Sequence, residues 1–407
     1  MITGLGCLSP VGNDVASTWA AMVEGVSGIG PITQFDPAAL PVKIAGEVRG
    51  FDAAERVGRK ESRRMSRFSQ LAVAAAAEAL ADSALHLDLE DRDRVGVLIA
   101  SGVGGLREIE ESTKILERDG HRRISPFVVP MMIADMASGN VSIRWDLRGP
   151  NFCLVSACAS GAHAIGEAAE MIRRGDADVM LAGGSEAAIT PLAVASFIAA
   201  RALTERNDPP EAASRPFDVG RDGFVIAEGA AVLVLESEEH ATRRGARVLA
   251  RVAGYGASAD AYHITAPDPQ GRGAASAMRR ALARANLAPE EVGYVNAHGT
   301  STELNDRVEA LAIRQVFGTH AETLPVSSTK SVTGHLLGAA GALESVVCVK
   351  AISTGMIPPT ANLSEPDPEC ALAHVTGTAL SRRVDAALNN SFGFGGHNAS
   401  LIFTSAN

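Results

Sequence analysis

Short apolar runs alternate along this chain with longer segments of helical periodicity, and that alternation restricts the fold more than any other feature. Val95–Ala100 is strand-like and runs into Gly102, Gly104 and Gly105, and residues 179–182 are strand-like and run into Gly183-Gly184. Residues 225–236 contain the β-forming Val232-Leu233-Val234-Leu235, and residues 292–297 form another buried strand. Between these, residues 70–85 are alanine-rich and helical. Strands alternating with helices predict an α/β architecture with parallel strands. At 407 residues the chain can form two ordinary domains or one duplicated unit with a shared core. A charged helix near residues 236–247 marks a junction, dividing the chain into 1–243 and 244–407. No repeat is visible in the residue identities. The polar stretch 204–223, with Pro209-Pro210, reads as an ordered excursion from the core and not a linker.

Composition removes several classes. Apolar residues at 46% and charged residues at 21% describe a globular chain. The formal charge of −10 argues against a nucleic-acid binder. There is no uninterrupted run of about 18 apolar residues, so no membrane span is expected. The N-terminus enters a strand at once, without a basic segment and apolar core, so no signal peptide is expected. Five scattered cysteines, an odd number, point to a reducing, cytoplasmic setting. One basic stripe stands out. Lys60, Arg63, Arg64 and Arg67 fall at i, i+3, i+4 and i+7, which puts them on one face if the segment is helical.

The reactive candidates sit at element ends. In Phe152-Cys153-Leu154-Val155-Ser156-Ala157-Cys158-Ala159-Ser160-Gly161, an apolar run stops at a cysteine and a helical pattern follows, with Ile165, Ala168, Ala169 and Ile172 on one face. Strand, sharp turn and helix would hold the Cys158 sulfur out of the sheet, near a helix's positive end. That setting favours the thiolate. His298 follows the strand at 292–297, and His335 follows Gly334 and opens the helix-like run 336–351. Two glycine-flanked histidines, Lys330 and a turn cysteine make a set of nucleophile and acid–base groups.

These residues belong to an ordered series of motifs. It runs from Thr3-Gly4-Leu5-Gly6 through the cysteine segment, Ala182-Gly183-Gly184, Ser214-Arg215-Pro216-Phe217, Arg221-Asp222-Gly223-Phe224 and Asn296-Ala297-His298-Gly299-Thr300. Lys330, Gly334-His335 and the tail Asn390-Ser391-Phe392-Gly393-Phe394-Gly395-Gly396-His397-Asn398 complete it. The series resembles that of the condensing enzymes of the thiolase superfamily, in particular the β-ketoacyl-acyl-carrier-protein synthases of type II. The resemblance implies a five-layered α-β-α-β-α fold of two similar halves, with the nucleophile in the first half and both histidines in the second. It implies a decarboxylative Claisen condensation that lengthens an acyl chain by two carbons. Cys158 would be acylated, His298 and His335 would polarise the malonyl thioester carbonyl, and the N–H groups of Cys158 and Phe394 would form an oxyanion hole. Lys330 would tune the site and orient the histidines through Glu344, and Thr300 and Thr302 would hold the pantetheine arm. Val103, Phe197 and Phe394 would bound the acyl pocket, with Phe394 as its gate. Lys60, Arg63, Arg64 and Arg201 would receive an acidic acyl carrier protein. No redox cofactor or catalytic metal is expected, although a structural monovalent cation near Asn296 and Ser391 is compatible. Residues 151–156 would pair with their twin in a homodimer.

Other readings fit less of the chain. Cys153, Cys158 and His163 match no common zinc spacing. The glycines at 102, 104 and 105 do not form a dinucleotide-binding G-x-G-x-x-G. A papain-like hydrolase uses a Cys–His pair but leaves the second histidine, the lysine and the tail without a role. Within the superfamily, a thiolase would need a second cysteine near 391–398, the initiating synthases pair one histidine with asparagine, and a chain-length factor lacks the cysteine. A type II polyketide or specialised-lipid ketosynthase is the alternative that keeps the full triad. One departure is Glu303, where the family often has proline.

Overall fold

The computed structural model describes residues 1–406. Its first half holds strands β1 (Ile2–Leu8), β2 (Val95–Ala100), β3 (Asn151–Phe152), β4 (Val179–Glu186) and β5 (Gly229–Glu236) in the order β1-β5-β4-β2-β3. The second half holds β6 (Arg251–Ala259), β7 (Tyr294–Asn296), β8 (Pro325–Ser327), β9 (Ala373–His374), β10 (Ala386–Gly393) and β11 (His397–Thr404) in the order β6-β11-β10-β7-β8-β9. In both sheets the first two pairings are antiparallel and the following ones parallel. The sheets are therefore mixed, where the strand–helix alternation predicted parallel strands. The antiparallel strands β5 and β11 close each half after its last helix and leave no crossover to read in the pattern. Helix Glu238–Arg243 lies between the halves.

Five helices set the layers. Those named here are α1 (Arg67–Ser83), α2 (Ser160–Arg174), α3 (Arg272–Ala285), α4 (Glu303–Phe317) and α5 (Ala340–Thr354). The central pair, α2 and α5, touch each other and pack between the two sheets, while α1 and α3 cover the outer faces. The result is the expected helix-sheet-helix-sheet-helix stack. With both faces covered, β2, β4 and β5 are buried at every residue. That is why they read as continuous apolar runs. Gly183 and Gly184 lie inside β4 and do not end it: a side chain at Gly183 would strike Ala231 of β5, and one at Gly184 would strike the Gly338 carbonyl.

The duplication has a signature in small residues. Gly4 and Gly6 of β1 let the backbone of α1 approach, so that a methyl group there would overlap the carbonyls of Ala79 and Ala75. Gly254 and Gly256 of β6 stand in the same relation to Ala281 and Ala277 of α3. Each half thus pairs Gly-x-Gly on its edge strand with Ala-x-x-x-Ala on its outer helix. Both central helices have 15 residues and end at a left-handed glycine, Gly175 (φ 78°) and Gly355 (φ 67°).

Two further expectations change. The basic stripe is not one helical face: a single turn, Arg59–Ser62, ends before Ser66, which opens α1. Arg67 turns inward to a two-point ion pair with buried Glu228, whereas Lys60, Arg63 and Arg64 stay exposed. The strand before the nucleophile is only two residues long, so Cys153 lies beyond it. Residues Leu337–Thr354 are long and apolar enough to pass for a membrane span, but 78% of that stretch is buried in the protein. It is the core helix α5 with the turn that precedes it.

Candidate active site

The position of Cys158, the candidate nucleophile, follows from a strained turn. Ala157 has φ 51°, and a 3-10 turn over Ala157–Ala159 leads into α2. Ser160 closes the turn, accepting from the Ser156 N–H at 2.9 Å and donating to the Ala157 carbonyl at 2.6 Å. Gly393 packs against it, since a Cβ there would meet the Ser156 carbonyl and the Cys158 nitrogen. This brings the next residue's N–H, that of Phe394, onto the Cys158 sulfur. Burial pushes the Cys158 thiol up to about 12, while the Lys330 charge and the Phe394 N–H pull it down. The resting residue is therefore a thiol. The sequence-based expectation of a thiolate took account of the helix terminus but not of desolvation.

His298 sits on the turn after β7, pinned by a carboxylate from the following helix. Glu309 of α4 accepts the His298 N–H at 2.8 Å, the Gly299 N–H at 2.7 Å and the Asn390 amide at 3.1 Å. Asp306, one turn earlier on α4, is fully buried and accepts the Phe217 N–H at 2.9 Å. His335 is held through its backbone: its N–H donates to the Val225 carbonyl at 2.7 Å, and its carbonyl accepts from Ala227 at 2.9 Å. The two imidazoles meet edge to face, with centroids 5.3 Å apart at 83°. Phe224 packs against His335, and Phe392 against His298. Both rings are 2% exposed, and His335 Nδ1 and Nε2 and His298 Nδ1 have no hydrogen-bond partner in the protein. Burial holds both histidines well below the usual range, with the Lys330 charge acting in the same direction. They are neutral rings with free polar atoms at the site.

Lys330 is 1% exposed and forms an ion pair with Glu344 of α5. Burial pushes Glu344 up to about 7 against the pull of Lys330. Neither residue hydrogen-bonds a histidine, so the expected orienting role through Glu344 is corrected. Lys330 acts on the imidazoles and on Cys158 through its charge.

A cavity of about 570 Å³ opens over Cys158, His298 and His335. Thr300, Thr302, Phe197, Phe394 and Arg201 also line it. The Thr300 and Thr302 hydroxyls are 2.9 Å apart. Phe394 is 37% exposed, between Gly393 and the left-handed Gly395 (φ 86°). Val103 does not line this cavity. It is 39% exposed, its N–H donates to Glu186 at 3.2 Å, and the cavity wall stops short of it. Lys60, Arg63 and Arg64 also lie outside the lining, and Arg64 stacks on Phe127. Asn296 Oδ1, Ser391 Oγ and Glu344 Oε2 are buried oxygens without a hydrogen-bond partner. Sequence reasoning missed Glu186, Asp306, Glu309 and Ser160. The two glutamates carried one signal, an acidic residue within an otherwise apolar stretch.

Two family models match the chain: the β-ketoacyl synthase N-terminal domain over residues 1–241 and the β-ketoacyl synthase C-terminal domain over residues 249–364. This chain belongs to the β-ketoacyl synthase family. It is 51% identical over 403 residues to 3-oxoacyl-[acyl-carrier-protein] synthase 2 of a Synechocystis strain, covering 99% of this chain and 97% of the relative. It is also 51% identical over 404 residues to the protein of that name from Coxiella burnetii, covering 99% and 98%. A β-ketoacyl synthase from Burkholderia phymatum superposes with a TM-score of 0.92 at 38% identity, covering 100% of this chain and 99% of that one. A ketosynthase solved with its type II PKS acyl-carrier protein superposes at 0.91 with 35% identity, covering 100% and 98%.

Proposed function

We propose that the chain is a 3-oxoacyl-[acyl-carrier-protein] synthase of type II, an acyltransferase that condenses acyl-carrier protein with malonyl-carrier protein. The observation that carries this reading is the single cavity shared by Cys158 and two neutral, buried histidines. The Cys158 sulfur attacks the acyl thioester carbonyl. The carbon–sulfur bond to pantetheine breaks, and the thiol proton ends on the departing pantetheine sulfur. Covalent capture divides one hard condensation into two easier steps. The N–H groups of Cys158 and Phe394 hold the oxyanion during acyl transfer. Malonyl-carrier protein then loses carbon dioxide, and the enolate oxygen is held by N–H donors of His298 and His335. Its carbon attacks the acyl-cysteine, releasing the sulfur, which regains a proton. A neutral imidazole keeps one ring N–H to donate, so each histidine can supply one hydrogen bond to the enolate oxygen.

Thr300 and Thr302 take the pantetheine arm, and Arg201 at the cavity with Lys60, Arg63 and Arg64 receives the carrier protein. The exposed edge strand β3, with Phe152 at 40% exposure, and Val155 beyond it at 60%, support pairing with a second copy. The buried oxygens of Asn296, Ser391 and Glu344 fit a structural monovalent cation. The free cysteines support a cytoplasmic location. The polyketide alternative has the weaker likeness, 35% identity against 51%. The test is mass spectrometry of the intact protein mixed with acyl-carrier proteins of graded chain length. Acyl mass should appear on Cys158 and vanish in Cys158→Ser. Loading of the variant at another cysteine would overturn the assignment.

A further inference from the structure

One buried carboxylate with five hydrogen-bond donors belongs to none of the steps above. Glu186, at the end of β4, is fully buried. It accepts the Gly102 N–H at 2.7 Å, the Ser101 hydroxyl at 2.9 Å and the Val103 and Gly104 N–H groups at 3.2 and 3.3 Å. From the other half of the molecule it accepts the Gly338 N–H at 3.0 Å. Every partner is a donor, and these bonds oppose the burial that pushes the Glu186 carboxyl above its usual range. The two turns it joins are in contact, because a Cβ at Gly102 would meet Glu186 itself, the Gly338 nitrogen and the Ala157 carbonyl. Glu186 therefore sits where the turn 101–104, the turn 337–338 and the nucleophile's turn converge. Two residues after the first comes Leu106, and within the second is Leu337. Both belong to the apolar cluster that contains Cys158, Phe197 and Ile198.

We propose that Glu186 is a positioning residue. It fixes the two turns that carry Leu106 and Leu337, and so sets the apolar wall against which an acyl chain on Cys158 packs. The inference rests on the acyl-cysteine reading above. Neither leucine lines the open cavity, so on this proposal a long chain reaches them and a short one does not, and losing the carboxylate should change selectivity and not only rate. Glutamine keeps the size of the side chain, but it offers one acceptor oxygen where five donors converge and turns an NH₂ toward N–H groups.

The experiment compares wild type, Glu186→Gln and Ser101→Ala, loading each with a four-carbon and a fourteen-carbon acyl-carrier protein. Rates are read by mass spectrometry at Cys158. In Glu186→Gln the long-to-short rate ratio should fall by at least about tenfold. An unchanged ratio overturns the proposal whatever the overall rate does. If Glu186→Gln does not fold, Ser101→Ala decides, since it removes one donor of five. Its ratio should fall by about two- to threefold, and an unchanged ratio overturns the proposal. Failure of wild type to load at Cys158 would instead refute the acyl-cysteine reading itself.

Discussion

The turn at 157–159 and the turn at 337–339 have nearly the same backbone. Ala157 has φ 51° and Leu337 φ 49°, and each turn runs into a 15-residue helix, α2 or α5. Gly161 and Gly341 occupy the same place on the two helices, where each leaves room for the other helix. Yet the first turn carries Cys158 and the second carries Gly338. The difference lies in what surrounds them. Cys158 opens onto the cavity, whereas a side chain at Gly338 would strike the Gly102 nitrogen and the Glu186 carboxylate. The architecture makes the turn twice. Packing then decides which copy has room for a side chain at the cavity, and on the proposed reading the second half contributes its chemistry from His298, Lys330 and His335.

If the halves divide the labour in this way, the largest effect of breaking the division falls on decarboxylation. His298→Ala or His335→Ala should each cost about 3 kcal/mol of transition-state stabilisation, roughly 10²–10³ in rate, while slowing acyl loading far less. Carbon dioxide release and mass-spectrometric loading, measured side by side, check this, and loss of loading with decarboxylation intact would reverse the roles. Because burial depresses both imidazoles, they are already neutral at pH 6.5. Decarboxylation in a Cys158→Gln protein should accordingly stay flat from pH 8 to about 6.5, with no limb at the ordinary histidine value.

The unequal packing of the two turns predicts a stability effect. Gly338→Ala should destabilise by about 1–3 kcal/mol in denaturant unfolding, through overpacking against the 101–104 turn. Wild-type stability in that variant would show that the second turn has room for a side chain after all. The duplication is sharpened by another pair, Gly6→Ala and Gly256→Ala. Both insert a methyl group against a helix carbonyl in matching places, so each should cost about 1–3 kcal/mol and the two should agree to within about 1 kcal/mol. The smallest effect is at the surface. Lys60→Glu with Arg64→Glu should raise the KM for acyl-carrier protein several-fold and leave small acyl thioesters nearly unaffected. Equal loss with both substrates would assign Arg64, stacked on Phe127, a structural role.

Residues that had to lie at strand and helix ends were legible, because glycines and a break in periodicity mark such places. That is how Cys158, His298 and His335 could be found from the sequence, and why the cavity brings all three together. Residues whose role depends on a distant partner were not legible. Glu309 matters because α4 folds back under the His298 turn, and Glu186 because two halves of the chain meet at its carboxylate. The repeat escaped notice because Gly-x-Gly and Ala-x-x-x-Ala record side-chain size at a contact, and almost no residue identity is shared around them. The basic stripe misled because spacing is informative only if the helix continues, and Ser66 starts a new one. Desolvation, which governs the Cys158 thiol, is a property of the assembled layers and of no single segment.

The ion pair of Lys330 and Glu344 has a consequence for the medium in which the protein works. Dissolved ions weaken interactions between charges that water can reach, over a length of about 8–10 Å near 0.1–0.15 M ionic strength, and act much less on buried ones. Lys330 lies where water does not reach, so the field it applies to His298 and His335 is set by the protein alone. Lys60, Arg63 and Arg64 have no such shelter. Raising ionic strength should therefore thin the supply of carrier protein arriving at the cavity while leaving each captured molecule to react at an undiminished pace.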